Sequence, residues 1–110
     1  NLAFEAISVG AVGWVAGVMA FPRETVVIYR LLKAGRHAEA LAIYRWFRPL
    51  LDLDVSTYLV QNLKLVEALV IDSNDRVRAP RLAHSGERRV AIESLVRHAL
   101  ATRPTLPAVA

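Results

Sequence analysis

The 110-residue chain has no cysteine, a single methionine, five glycines and five prolines. Without cysteine there can be no disulfide framework, no cysteine-ligated zinc or iron–sulfur cluster and no thiol nucleophile. With no thiol present, the redox compartment stays open. Charge is scarce too: charged residues make up 22% and hydrophobic ones 55%, a balance that excludes a disordered tail. No internal repeat or low-complexity tract breaks the chain. A Gly-x-Gly-x-x-Gly turn, a phosphate-binding loop and a Gly-x-Ser-x-Gly elbow are all missing, which removes the common nucleotide and serine-hydrolase signatures. The length fits one ordinary domain and cannot hold a complete eight-fold α/β barrel.

What is present is apolar surface. The mean hydropathy is +0.33, high for a domain whose surface is large for its volume. Such a chain is expected to cover more than its own core, against a membrane, a partner subunit or the rest of a longer polypeptide. A start at Asn1 rather than Met favours the last. The net charge of +4 is unevenly placed: Arg76, Arg78, Arg81, Arg88, Arg89, Arg97 and Arg103 face only Glu87 and Glu93. No aromatic residue interleaves these arginines, so a solvated basic helix face is expected rather than a nucleic-acid site.

Periodicity yields four longer helical segments after a short first one. Leu2–Val9 has helical spacing. Trp14-Val15-Ala16, between Gly13 and Gly17, has the small, β-compatible character of a fully buried strand. Phe21-Pro22-Arg23-Glu24 opens a helix, with proline suited to the first turn and Glu24 to the positive end of the dipole. That helix closes at Lys33-Ala34-Gly35, where glycine suits a left-handed cap. The next begins near His37 with Ala40, Ile43, Tyr44, Phe47, Leu50 and Leu51 on one stripe, and Pro49 should kink or shorten its last turn. After a turn at Asp52–Ser56, with Ser56 or Thr57 as cap, Leu59, Val60, Leu63, Val66, Leu69 and Val70 share a face. Asp72–Asp75 stops this helix and Arg76–His84 is loop. Ser85 caps a last helix carrying Ile92, Leu95, Val96 and Ala99, and the residues after Arg103 should fray.

The uncharged run from Ala6 to Pro22 is 17 residues long, at the lower edge of a bilayer span. Its three glycines and the helix start at its end fit helix, strand and loop better. His37, His84 and His98 show no metal-ligand spacing and read as surface or capping residues. Asp52 and Asp54 read as a solvated pair in a turn. Lys33 sits at a helix end, and Lys64 is placed for an ion pair with Glu67. From the residues alone the chain is mainly α, with no visible catalytic centre.

Three stretches in order carry a resemblance: AISVGAVGWVAGV (6–18), LLKAGRHAEALAIY (31–44) and VRAPRLAHSGERR (77–89). Together they resemble the C-terminal third of the dihydrodipicolinate synthase/N-acetylneuraminate lyase family, over about residues 1–100. The segment Tyr58-Leu-Val-Gln-Asn-Leu-Lys64 looks more like the branch holding the 1-pyrroline-4-hydroxy-2-carboxylate deaminases. The resemblance implies a parent α/β fold, the (β/α)8 barrel. Residues 1–34 would be its seventh helix, eighth strand and eighth helix, residues 35–103 the appended helical region, and 104–110 a frayed tail. It further implies a lyase or hydro-lyase that forms a Schiff base with a small, pyruvate-like 2-oxo acid through a lysine on an upstream strand. No cofactor or metal, a homo-oligomeric cytoplasmic enzyme, and no nucleic-acid or membrane partner follow from the same resemblance. Only the eighth strand of the family's site maps onto this chain, so Val15, Ala16 and Gly17 are the substrate-binding candidates and no catalytic residue is expected here. The alternative is a small helical interaction or membrane-associated protein with a basic C-terminal face.

Overall fold

The computed structural model describes residues 1–110 and is all-helical, without a strand. In chain order the helices are α1 (Ala3–Ser8), α2 (Pro22–Lys33), α3 (His37–Leu51), α4 (Leu59–Val70) and α5 (Gly86–Ala101), with a 3-10 turn at Asp52–Asp54. They form an elongated body of 43 × 27 × 20 Å. The main packing runs α1 on α2, α2 on α3, α3 on α5 and α5 on α4.

α3 organises the core because its apolar residues recur every three or four positions. Ala40, Ile43, Tyr44, Phe47, Leu50 and Leu51 are all buried, as the spacing predicts. Phe21 meets Phe47 edge to face and Trp46 edge-on, and Trp46 stacks on Phe47. The Trp46 indole N–H donates to the carbonyl of Ala99 at 3.1 Å, tying α3 to α5. Pro49 does not break α3. The helix continues to Leu51 and then tightens into the 3-10 turn.

The stop at Gly35 is a left-handed cap. Gly35 takes φ +75°, its amide donates to Leu32, and the Arg36 amide reaches back to Leu31. This pair of bonds satisfies two otherwise open carbonyls of α2. Ser56 is not a helix cap; its hydroxyl accepts from the Tyr58 amide in a local turn, and α4 begins later, at Leu59. Ser85 precedes α5 without a side-chain cap bond.

Further expectations fail in whole or in part. The Trp14–Ala16 strand does not form: residues 11–16 carry neither helix nor ladder, since a strand requires a neighbouring strand and this chain supplies none. The inner face of α4 is wider than expected: Val66 is buried and Leu63, Leu69 and Val70 pack on the core, but Asn62 and Leu65 are buried beside them and Val60 is 37% exposed. The tail after Arg103 has no regular structure, yet it is docked. Leu106 and Val109 pack on the core, and Arg36 Nη1 donates to the Ala108 carbonyl at 2.9 Å.

Candidate functional site

The segment between α1 and α2 has few backbone hydrogen bonds, as does the stretch from Leu82 to Arg88 that leads into α5. Gly10 and Ala11 donate to Ile7 and Ala6 as α1 unwinds, and the next backbone bond is donated by Met19. No amide from Val12 to Val18 donates a hydrogen bond within the chain. On the acceptor side, the Tyr29 hydroxyl donates to the Val12 carbonyl at 2.8 Å and anchors the segment to α2. Ala11 and Trp14 pack on the core and Val18 is buried. Val9, Val12 and Val15 point away from it, at 87%, 86% and 101% exposure.

The three candidate residues therefore lie together on this segment. Val15 stands fully in the open, on the rim of a cleft of about 320 Å³ that also takes in Leu2, Ile7, Trp14 and Asp54. Ala16 and Gly17 are half-buried. A side chain at Gly17 would collide with the Asp54 carboxylate, which occupies the space a Cβ would need. Asp52 and Asp54 consequently have separate surroundings. Asp52 accepts from Asn1 at 2.8 Å and Arg48 at 3.0 Å, and these bonds hold its carboxyl below the usual range, the Asn1 amide most of all.

Lys33 is exposed at the end of α2, and Lys64 lies 4.0 Å from Glu67, the i, i+3 pair the spacing predicts. No protein-family model, curated protein or solved structure matches the chain. No group of three His, Asp or Glu side chains is gathered that could hold a metal ion, and no helix is long and apolar enough to cross a membrane.

Two polar arrangements escape sequence reasoning. The first joins α4 to the loop before α5. Asn62 Nδ2 donates to the Leu53 carbonyl at 2.9 Å, which turns Oδ1 toward His84 Nε2 at 2.7 Å. The carbonyl can only accept, so the amide orientation is fixed and Nε2 must carry the proton. His84 is buried rather than a surface residue. Burial, then Arg88 and Arg89, push its pKa down, favouring the neutral ring.

The second is Glu24, 1% exposed on the first turn of α2. Arg103 Nε donates to its Oε1 at 2.6 Å, the guanidinium lies 5.3 Å from the Phe21 ring centre, and Oε2 has no partner. An acid at a helix start and a late basic residue are each unremarkable in sequence. Their meeting depends on how α5 returns to α2, which periodicity does not encode.

Proposed function

We propose that this chain is the C-terminal portion of a class I aldolase-type enzyme, a Schiff-base-forming lyase or hydro-lyase acting on a small 2-oxo acid. In this reading residues 11–17 are the eighth strand of a (β/α)8 barrel and the later helices are its appended region. The observation that carries the proposal is the run of seven amides, Val12 to Val18, that donate to nothing. Exposed backbone can be solvated, but an apolar run of Val, Trp and Ala with open donors is what a central parallel strand presents when both neighbours are elsewhere. Trp14 packs toward the helices, while its neighbour Val15 faces away from them, as adjacent residues of a strand do.

With neighbouring strands in place, Val15 would line the barrel interior and Ala16 and Gly17 would sit near its C-terminal mouth, where barrel active sites open. The catalytic amine would come from an upstream strand. It would attack the 2-oxo carbon and expel water to form the imine, and the new electron sink would stabilise a carbanion at the adjacent carbon. Lys33 and Lys64 take no part. Exposed apolar residues on the helical region, such as Val90 and Leu100, would serve contacts between subunits of a cytoplasmic homo-oligomer. At the level of substrate, the Val60–Lys64 stretch supports the deaminase branch.

Borohydride reduction in the presence of pyruvate, carried out on the longest native polypeptide, tests the proposal. The expected result is a stable adduct on a lysine upstream of Asn1 and none on the 110-residue chain. An adduct on Lys33 or Lys64, or none on the long polypeptide, would overturn it.

A further inference from the structure

A separate cleft of about 590 Å³ opens between the start of α4 and the start of α5, and shares no residue with the segment 11–17. Its walls include Tyr58, Arg81, His84, Ser85, Glu87 and Arg88. Arg81 and Arg88 pair with no carboxylate, whereas Arg89, Arg97 and Arg103 all do. Arg88 is stacked on Tyr58, its guanidinium carbon 3.8 Å from the ring centre, and the other neighbour of that ring is His84, at 5.8 Å between centres. The amides of Gly86, Glu87 and Arg88 donate to nothing, because Ser85 supplies no cap. Two unpaired guanidinium groups and an open helix start thus favour an anion at one side of the cleft.

His84 supplies the second requirement. It is 8% exposed, and Nε2 is committed as a donor to Asn62. Nδ1 bonds to no protein atom, yet it is not sealed, since the one sealed side-chain atom without a partner is Glu24 Oε2. His84 lines the cleft, and in the neutral ring its Nδ1 is a lone-pair acceptor. The cleft therefore offers donors for an anion and one buried acceptor for a neutral O–H. Its volume is that of a small organic ligand rather than a bare ion.

We infer that this cleft binds a small hydroxylated phosphate ester, with the phosphate on Arg81, Arg88 and the start of α5 and a hydroxyl donating to His84 Nδ1. A phosphate ester has a second pKa of about 6, so at pH 7.5 the phosphate itself is largely without a proton to offer Nδ1. The donor must come from the organic part. Glu87, on the first turn of α5, opposes the anion and limits its affinity.

Glycerol phosphate and propyl phosphate, which differ in hydroxyl groups, are the probes. Each is titrated into the 110-residue chain at fixed ionic strength, with calorimetry for affinity and nitrogen NMR for the His84 ring. Saturable binding of glycerol phosphate with a shift of the Nδ1 resonance is expected, and propyl phosphate should bind about fivefold more weakly, the loss of one hydrogen bond. Arg81→Gln and Arg88→Gln should each weaken both ligands about tenfold, and Glu87→Gln should tighten both. Both arginines and Glu87 are exposed, so these variants retain the fold. No saturable binding, equal affinity for the two esters, or indifference to the arginine substitutions would overturn the inference. None of these outcomes touches the borohydride result.

Discussion

Glu24 and Arg103 show what a single residue contributes here. A carboxylate with almost no contact with water is tolerable only while a cation bonds to it. Arg103 does so from the far end of the chain, where Leu106 and Val109 pack on the core. Arg103→Ala is expected to cost about 3 kcal/mol, because it strands the buried charge. Glu24→Gln, which removes that charge and keeps the volume, should cost clearly less. Urea denaturation of the two variants checks this, and a cost for Arg103→Ala no larger than the ~0.5 kcal/mol of an ordinary surface change would refute it. His84 adds a pH dependence of defined sign. Its pKa is lowered in the fold and returns to about 6.5 in the unfolded chain. Its contribution is therefore complete above that value and declines as pH falls from about 6.5 through the folded pKa. The carboxylates of Asp52 and Asp75, held low chiefly by hydrogen bonds from Asn1 and Arg89, act lower, their stabilisation being lost below about pH 4. A stability profile with a shallow decline beginning near pH 6.5 is expected in the native chain, and His84→Gln should flatten that first limb alone.

At the scale of elements, legibility in the sequence follows from where each cause lies. α2 and α3 are legible because local signals set them: Pro22 at the start, Gly35 in a left-handed cap, and an unbroken stripe from Ala40 to Leu51. The face of α4 is legible only in part: Leu63, Val66, Leu69 and Val70 pack inward as expected, but Asn62 is a polar residue buried by its bonds to Leu53 and His84. A hydrophobic pattern counts such a position as outward. The strand at Trp14–Ala16 fails for the complementary reason, because its sequence character is that of a strand while the chain supplies no second strand to pair with it. Val15, Ala16 and Gly17 are singled out by the family resemblance alone; the Asp54 carboxylate against Gly17 comes only from tertiary approach. Hydrogen exchange should separate these elements. Amides 12–18 are expected to exchange at nearly unprotected rates while those of α3 are protected up to global unfolding. Strong protection of Val15 and Ala16 in a monomer would contradict the unpaired segment. Within the core, Phe47→Ala should cost about 3–5 kcal/mol by the usual large-to-small rule, since Phe47 has no exposed surface and packs against Phe21 and Trp46.

For the whole molecule, part of the excess hydropathy gathers at one end. Leu2, Val9, Val12, Val15 and Met19 are all exposed and all lie around the segment whose amides are unpaired, so apolar surface and open backbone donors coincide. A helix–helix contact would use the apolar groups and leave the amides idle, while strand pairing uses both. This coincidence yields a prediction that separates the barrel reading from an independent helical protein. Val12→Asp and Val15→Asp change side chains that touch almost nothing in the 110-residue chain, so its unfolding free energy should move by no more than about 0.5 kcal/mol. In the longest native polypeptide both positions would be covered, Val15 in the barrel interior and Val12 on the opposite face of the strand, and an unpaired carboxylate at Val15 should cost several kcal/mol or abolish folding. Thermal unfolding of both lengths with both substitutions measures the contrast. Equal tolerance in the two would mean that nothing upstream covers this face, and the barrel reading would fall with it.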